Sequence, residues 1–214
     1  MVYLPKHFTE ADPAVLADIM ARNSFATLIT HGEGGLIASQ LPFMFTRDAG
    51  AHGTLLCHLA RPNPQVADLK AGGEALVVFA GPNAYVSPSW YEKKPAVPTW
   101  NYVAVHAYGT PHAIEGEAEL IRLVGDLAER HEGGRAAPWR LADEPADYAK
   151  GMVRGIIGFA IPVTRLAGKL KLSQNRSAAD RGRVIAALRG ENDPGAAAIA
   201  ALMACRESAA TLAK

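Results

Sequence analysis

Two apolar, partly alternating runs, "FATLIT" and "LIASQLPFMF", flank Gly32-Glu33-Gly34-Gly35. Alternation sends successive side chains to opposite faces, and a glycine-rich link supplies the backbone freedom of a tight reversal. The stretch therefore predicts a β-hairpin, and a hairpin commits its strands to antiparallel pairing. A turn at Asp48 to Gly53 leads into "TLLCHLA" as a third strand. "EALVVFAG" reads as a fourth, "YVAVHAYGTPHAI" as a fifth, and "GIIGFAIPVTRL" as a later return to strand. Short reversals in place of long crossovers favour an antiparallel, barrel-like sheet over a doubly wound one. The expected class is mainly β with peripheral helices.

The helices carry their own signals. Thr9 with Asp12 reads as a capping box before Pro13, predicting a helix to about Arg22. Pro64 opens a short helix that Gly72-Gly73 ends. Leu120, Ile121, Val124 and Leu127 fall at helical spacing, and a further helix is predicted from Pro145 to Val153. Ser177 with Asp180 makes a second capping box, and Asp193-Pro194 opens the last helix. There is no G-x-G-x-x-G after a strand and no phosphate-loop motif.

Composition narrows the function classes. A formal net charge of +1 gives the whole molecule no strong pull on nucleic acid, so DNA contact would need a local basic patch. Two cysteines, Cys57 and Cys205, make no disulfide framework, and a reducing cytoplasm is the default. The N-terminus lacks a signal-peptide core, and no run approaches the ~20 apolar residues of a membrane span.

Three polar clusters sit at strand ends. In "CHLARPNPQ", His58, Arg61, Asn63 and Gln65 stand where a strand gives way to a helix. An arginine beside free helix-start amides makes an anion site, whereas Asn63 as a simple helix cap makes a solvated turn. In the proline-rich segment 81–102, Tyr85, Trp90, Tyr91, Trp100 and Tyr102 accompany Thr99 and Asn101. These either hold a planar heterocycle or close one end of the barrel. In "KLKLSQNRSAADRGR", Lys169, Lys171 and Arg176 are positive and Ser173, Gln174 and Asn175 offer hydrogen bonds. That run suits a phosphate. Arg181, Arg183 and Arg189 also invite a DNA reading, although the alanine-rich helix beyond them is a poor reader of bases.

Catalytic arrangements are thin. Seven scattered histidines include no pair at metal-binding helical spacing. His106 shares a strand face with Ala104 and Tyr108 and is expected to point inward. Cys57 and His58 are adjacent on a strand, so they face opposite ways and make no thiolate–imidazole pair. No nucleophile, catalytic residue or metal ligand is assigned.

Taken in order, "MVYLPKHF", "NSFATLI", "CHLARPNPQ", "VVFAGPNAYVSPSWY", "VPTWNYVAVHAYG", "GIIGFAI" and "KLKLSQNR" resemble the PaiB-type family of FMN-binding negative transcriptional regulators. The resemblance runs from Tyr3 to about Asp180, with Leu59 and Pro62 as small departures. It implies an antiparallel FMN-binding split β-barrel over residues 1–175. A C-terminal helical extension, 176–214, would pack on the same domain. It also implies a homodimer with FMN where two barrels meet. By the resemblance, Arg61 and Asn63, with His58 and Gln65 beside them, match a loop that takes the FMN phosphate. Gln174 and Arg176, with Lys171, would close the site, from the same subunit or its partner. Thr99, Trp100 and Asn101 would border the ring or ribityl chain, and Ser39, Gln40 and Leu41 would offer backbone groups to the ring edge. The function implied is transcriptional regulation. The alternative is an FMN-dependent oxidoreductase or flavin reductase, or a haem-binding relative with His58 or His106 on iron.

Overall fold

The computed structural model describes residues 2–47 and 50–212. Among these are nine strands and six α-helices. The first half runs β1 (Thr9–Glu10), α1 (Pro13–Arg22), β2 (Phe25–Gly32), β3 (Gly35–Pro42), β4 (Met44–Thr46), β5 (Thr54–Ala60), α2 (Gln65–Lys70) and β6 (Ala75–Val86). The second half runs β7 (Thr99–Gly109), β8 (His112–Ile114), α3 (Glu117–Glu132), α4 (Ala146–Val153), β9 (Ile156–Lys171), α5 (Ala178–Gly190) and α6 (Pro194–Leu212). The hydrogen-bonding order is β3-β2-β6-β7-β9-β5-β4, with β1 and β8 also on β9. Every pairing whose register is described is antiparallel.

The predicted hairpin forms as β2 and β3, with Gly32 opposite Gly35 and a two-residue link between them. Gly35 takes φ +94, a conformation that disfavours a side chain. The predicted turn at Asp48 to Gly53 lies partly outside the described residues, at positions 48 and 49.

The chain divides into two compact units. One comprises residues 1–19, 80–105 and 167–214, and the other residues 20–79 and 106–166. β6, β7 and β9 are long enough to contribute a stretch to each.

In the second unit, alternation along β5 buries Leu55, Cys57 and Leu59, and β9 buries Ile157, Phe159 and Ile161. Phe43 and Phe79 meet edge to face at 5.9 Å. Gly158 lets α3 sit close to β9. A Cβ there would lie 2.9 Å from Leu123 Cδ2 and 3.1 Å from Leu120 Cδ2.

In the first unit, Ala84, Val86, Val103, Leu170 and Leu172 share a core with Val184 and Leu188 of α5 and Ile199 and Met203 of α6. Ser177 Oγ accepts the Asp180 amide at 3.1 Å, as its capping position requires. The Asp180 carboxylate accepts the Glu92 amide at 2.8 Å, and this bond, with the Ser177 and Lys93 groups and the Arg176 charge, holds its carboxyl below the usual range. Asp193 Oδ2 caps α6 by accepting the Ala196 amide at 2.8 Å.

Three expectations change. Thr9 does not box with Asp12, because it lies in β1, where its hydroxyl donates to Pro5 O, and Asp12 alone caps α1 through the Ala14 amide. The irregular stretch 81–102 shrinks, since β6 continues to Val86, a 3-10 turn follows at Pro88–Trp90, and β7 starts at Thr99. The buried face of β7 carries Asn101, Val103, Val105 and Ala107, while His106, on the other face, is only half-buried.

Candidate functional site

The residues singled out in the sequence fall into two sets, one in each unit. In the second unit they gather where β5 turns into α2. Asn63 Oδ1 accepts the Gln65 amide at 2.9 Å and so caps α2. Its Nδ2 donates to Ser39 Oγ at 3.4 Å, which brings the β3 residues to this corner. Ser39 and Leu41 are half-buried and Gln40 is exposed.

Gln65 is fully buried. Its Nε2 lies 3.2 Å from each of three acceptors, Leu28 O, Thr30 Oγ1 and Ile37 O. Thr30 in turn donates to Asp68 Oδ2 at 2.8 Å. Gln65 thus ties α2 to both strands of the hairpin. Gln65→Leu keeps the volume and removes the donors, and is expected to cost about 1–3 kcal/mol of stability in urea unfolding. A midpoint equal to that of the unaltered chain would show that the amide does not fasten the hairpin.

Arg61 projects from the same corner. Its Nε donates to Arg154 O at 3.0 Å and one terminal nitrogen lies 3.5 Å from Glu115 Oε2. Lys70 Nζ donates to Glu115 Oε1 at 2.7 Å. The hydrogen bond from Lys70, with its charge and then Arg61 behind it, holds the Glu115 carboxyl below the usual carboxylate range. Two cations therefore share one carboxylate, and Arg61 retains N–H groups for a further anion. Glu115 and Lys70 were not singled out from sequence, because 54 and 45 residues separate Glu115 from its two partners.

Burial lowers the His58 pKa, so its imidazole is neutral at pH 7, and its buried Nδ1 has no hydrogen-bond partner among the described residues. Burial pushes the Cys57 thiol up to about 12. A thiol so reluctant to ionise, on the other face of β5 from His58, is no nucleophile.

In the first unit the second set surrounds the start of β7 and the end of β9. Lys171 Nζ donates to Thr99 Oγ1 at 2.6 Å and to Trp100 O. Burial first, and then the charges of Lys169 and Arg176, push its pKa down. Asn101 is fully buried and its amide pairs with Ser173, donating to Oγ at 3.0 Å and accepting from it at 3.2 Å. That pairing supports a residue at φ +63. Gln174 folds back on the turn, with Oε1 accepting the Leu172 amide at 2.7 Å and Nε2 donating to Leu170 O. The Arg176 guanidinium stacks 4.3 Å from the Tyr91 ring centroid. Tyr91 is buried packing, whereas Trp100 is 53% exposed and meets Tyr85 edge to face at 5.9 Å.

Two of the three α5 arginines are engaged within the unit, and Arg189 is exposed. Arg181 forms a two-pronged bond with Glu207, Nε to Oε1 at 2.5 Å and Nη2 to Oε2 at 3.0 Å. Arg183 lies 3.3 Å from Glu92. With two of its three arginines answered by its own fold, the helix presents little free charge to DNA phosphates.

The donor chemistry of both sets fits FMN. Cations with free N–H groups suit a phosphate, and an orphaned imidazole nitrogen and short polar side chains suit ribityl hydroxyls and ring-edge atoms. Comparison with known proteins agrees. A family described as "Putative FMN-binding domain" matches residues 2–165. The chain is 36% identical over 202 residues to the Bacillus subtilis protease synthase and sporulation protein PAI 2, covering 94% of this chain and 96% of that one. It is 31% identical over 223 residues to the uncharacterized protein AN0679 of Emericella nidulans, covering 86% and 89%.

Among solved structures, the FAD and haem binding protein of Mycobacterium smegmatis superposes with a TM-score of 0.60 at 19% identity, covering 84% of this chain and 79% of that one. The flavocytochrome Anf3 of Azotobacter vinelandii gives 0.56 at 12%, covering 78% and 72%. At such identities they speak for the fold, the antiparallel split-barrel class with added helices. Among the described residues no helix is long and apolar enough to cross a membrane. A family match over most of the chain and near full-length identity to PAI 2 together place it plainly: the chain belongs to the FMN-binding family of the PaiB type, and FMN is its cofactor.

Proposed function

We propose that this chain is a cytoplasmic, homodimeric, FMN-loaded negative regulator of transcription of the PaiB type. What supports regulation is the 36% identity, across nearly the whole of both chains, to a protein named for protease synthesis and sporulation. What supports the flavin site is the pair of cations, Arg61 and Lys70, held around Glu115. In this reading Arg61 and Asn63 receive the FMN phosphate. Lys171, Gln174 and Arg176 close a flavin site from the partner subunit, and the β3 residues Ser39, Gln40 and Leu41 meet the ring edge. FMN supplies any redox chemistry, and the protein supplies binding and orientation. Because Arg181 and Arg183 are already paired, regulation runs through another surface or a partner protein rather than through α5 on DNA.

The test combines three readings on purified protein. Heat-released ligand identified by mass spectrometry as FMN, together with light scattering at twice the chain mass, is expected. A mobility shift on the natural promoter at about 0.15 M salt, with and without a nuclear-free cell extract to supply a partner, then examines regulation. No shift in either condition, together with rapid NAD(P)H-dependent bleaching of the flavin, would replace the regulator with an oxidoreductase.

A further inference from the structure

The first unit contains a cavity of about 550 Å³ that shares Trp100 with the residues of the flavin reading but none of Arg61, Asn63, Lys171, Gln174 and Arg176. Tyr85, Trp90 and Trp100 form its aromatic walls, Leu188 adds an apolar surface, and Glu191 and Asp193 stand at its polar side. Among the described residues that line it there is no lysine, arginine or histidine. Glu191 and Asp193 make no ion pair among the described residues, and only Asp193 Oδ2 is committed, to the Ala196 amide.

The walls are fixed. Gly195 brings α6 so close to β6 that a Cβ there would lie 2.5 Å from Asn83 O. Tyr85 and Trp100 brace each other edge to face.

Charge and shape select the occupant. Glu191 caps the C-terminal end of α5, where the helix dipole adds partial negative charge to the carboxylate. A flavin phosphate brought here would meet two carboxylates and no cation. A hard metal ion would want six or more oxygens, whereas this cavity offers two carboxylates, one of them already committed in part to the Ala196 amide, beside three aromatic side chains. Aromatic faces with a nearby carboxylate attract a soft, weakly hydrated organic cation, and the volume lies within the range that binds small molecules. We propose that this cavity binds a small organic cation of the substituted-ammonium class, its alkyl groups against Trp90, Trp100 and Tyr85 and its charge facing Glu191 and Asp193. Trp100, which the family resemblance associates with the flavin, lines this cavity.

The probe is choline, titrated into the full-length, FMN-saturated protein by calorimetry. Its neutral isostere 3,3-dimethylbutan-1-ol is titrated alongside. Choline is expected to bind at least about tenfold more tightly than the isostere, because only the cation gains from ring faces and carboxylates. Glu191→Gln, an exposed change, is expected to erase most of that preference. Trp100→Ala is expected to weaken choline about fivefold or more, while Trp100→Phe keeps most of the binding. Equal affinity for choline and the isostere would overturn the proposal, as would no saturable choline binding. Displacement of FMN by choline would also overturn it, by making the cavity part of the flavin site.

Discussion

Arg61→Ala is expected to weaken FMN binding at least tenfold, read as the dissociation constant in a fluorescence-quenching titration of the ligand-free protein. A charge-assisted hydrogen bond to a phosphate contributes roughly 1.5–3 kcal/mol, which corresponds to about one to two powers of ten in affinity. Arg61 is 40% exposed, so solvent screening places the effect nearer the lower end of that span. The neighbouring charges predict a companion result of opposite sign. Glu115 is ionised at neutral pH and occupies both Arg61 and Lys70, so it competes with an incoming phosphate. Glu115→Gln should therefore tighten FMN binding, and raising the salt concentration should narrow the gap between the two variants. An Arg61→Ala protein that titrates like the unaltered chain would remove this corner from the flavin site.

Gly109→Ala is expected to destabilise the protein by roughly 3 kcal/mol or more, at the severe end of overpacking. The added methyl would run into the carbonyl oxygen of Pro162 and stand 2.8 Å from Ile161 Cγ2. The obstacle is backbone in the middle of β9, so no side-chain rotation relieves it. Nearby, Thr164 Oγ1 donates to Tyr108 O at 3.2 Å, which fixes the approach of the two strands from the adjoining residue. Thermal unfolding would check this, with urea unfolding to give the free energy. A melting temperature within a degree of the unaltered protein's would show that β9 has slack that the close approach does not suggest.

Local order was readable from sequence wherever the signal and its effect lie a few residues apart. The glycine-rich link made the β2–β3 hairpin, Ser177 capped α5 and Asp193 capped α6. Thr9 failed as a capping residue because a strand pairing, opposite Lys169, claimed its backbone. The aromatic segment looked irregular because prolines suggest loops, yet β6 accommodates Pro82 and continues to Val86.

At the candidate site, residue type was legible and commitment was not. Asn101 and Gln65 look like ligand-facing amides in a sequence, but both are fully buried, and the amide nitrogens of both donate inside the protein. Whether an amide faces inward depends on partners 72 and 37 residues away, which no spacing rule reveals. The same distance in sequence concealed Glu115, the carboxylate that sets the charge balance around Arg61.

The three long strands have a consequence for how the chain can be made. The unit that holds α5 and α6 is assembled from residues 1–19, 80–105 and 167–214, so its core closes only when the final segment is available. During synthesis, Val86, Val103 and Leu172 must wait uncovered for Val184, Leu188, Ile199 and Met203, which leave the ribosome after them. Contacts that span so much sequence slow folding and lengthen the period in which unfinished strands can pair with those of another chain. Truncated chains that stop near residue 175 are therefore expected to aggregate, and a slower rate of synthesis or added chaperone should benefit the full chain more than any change to its surface.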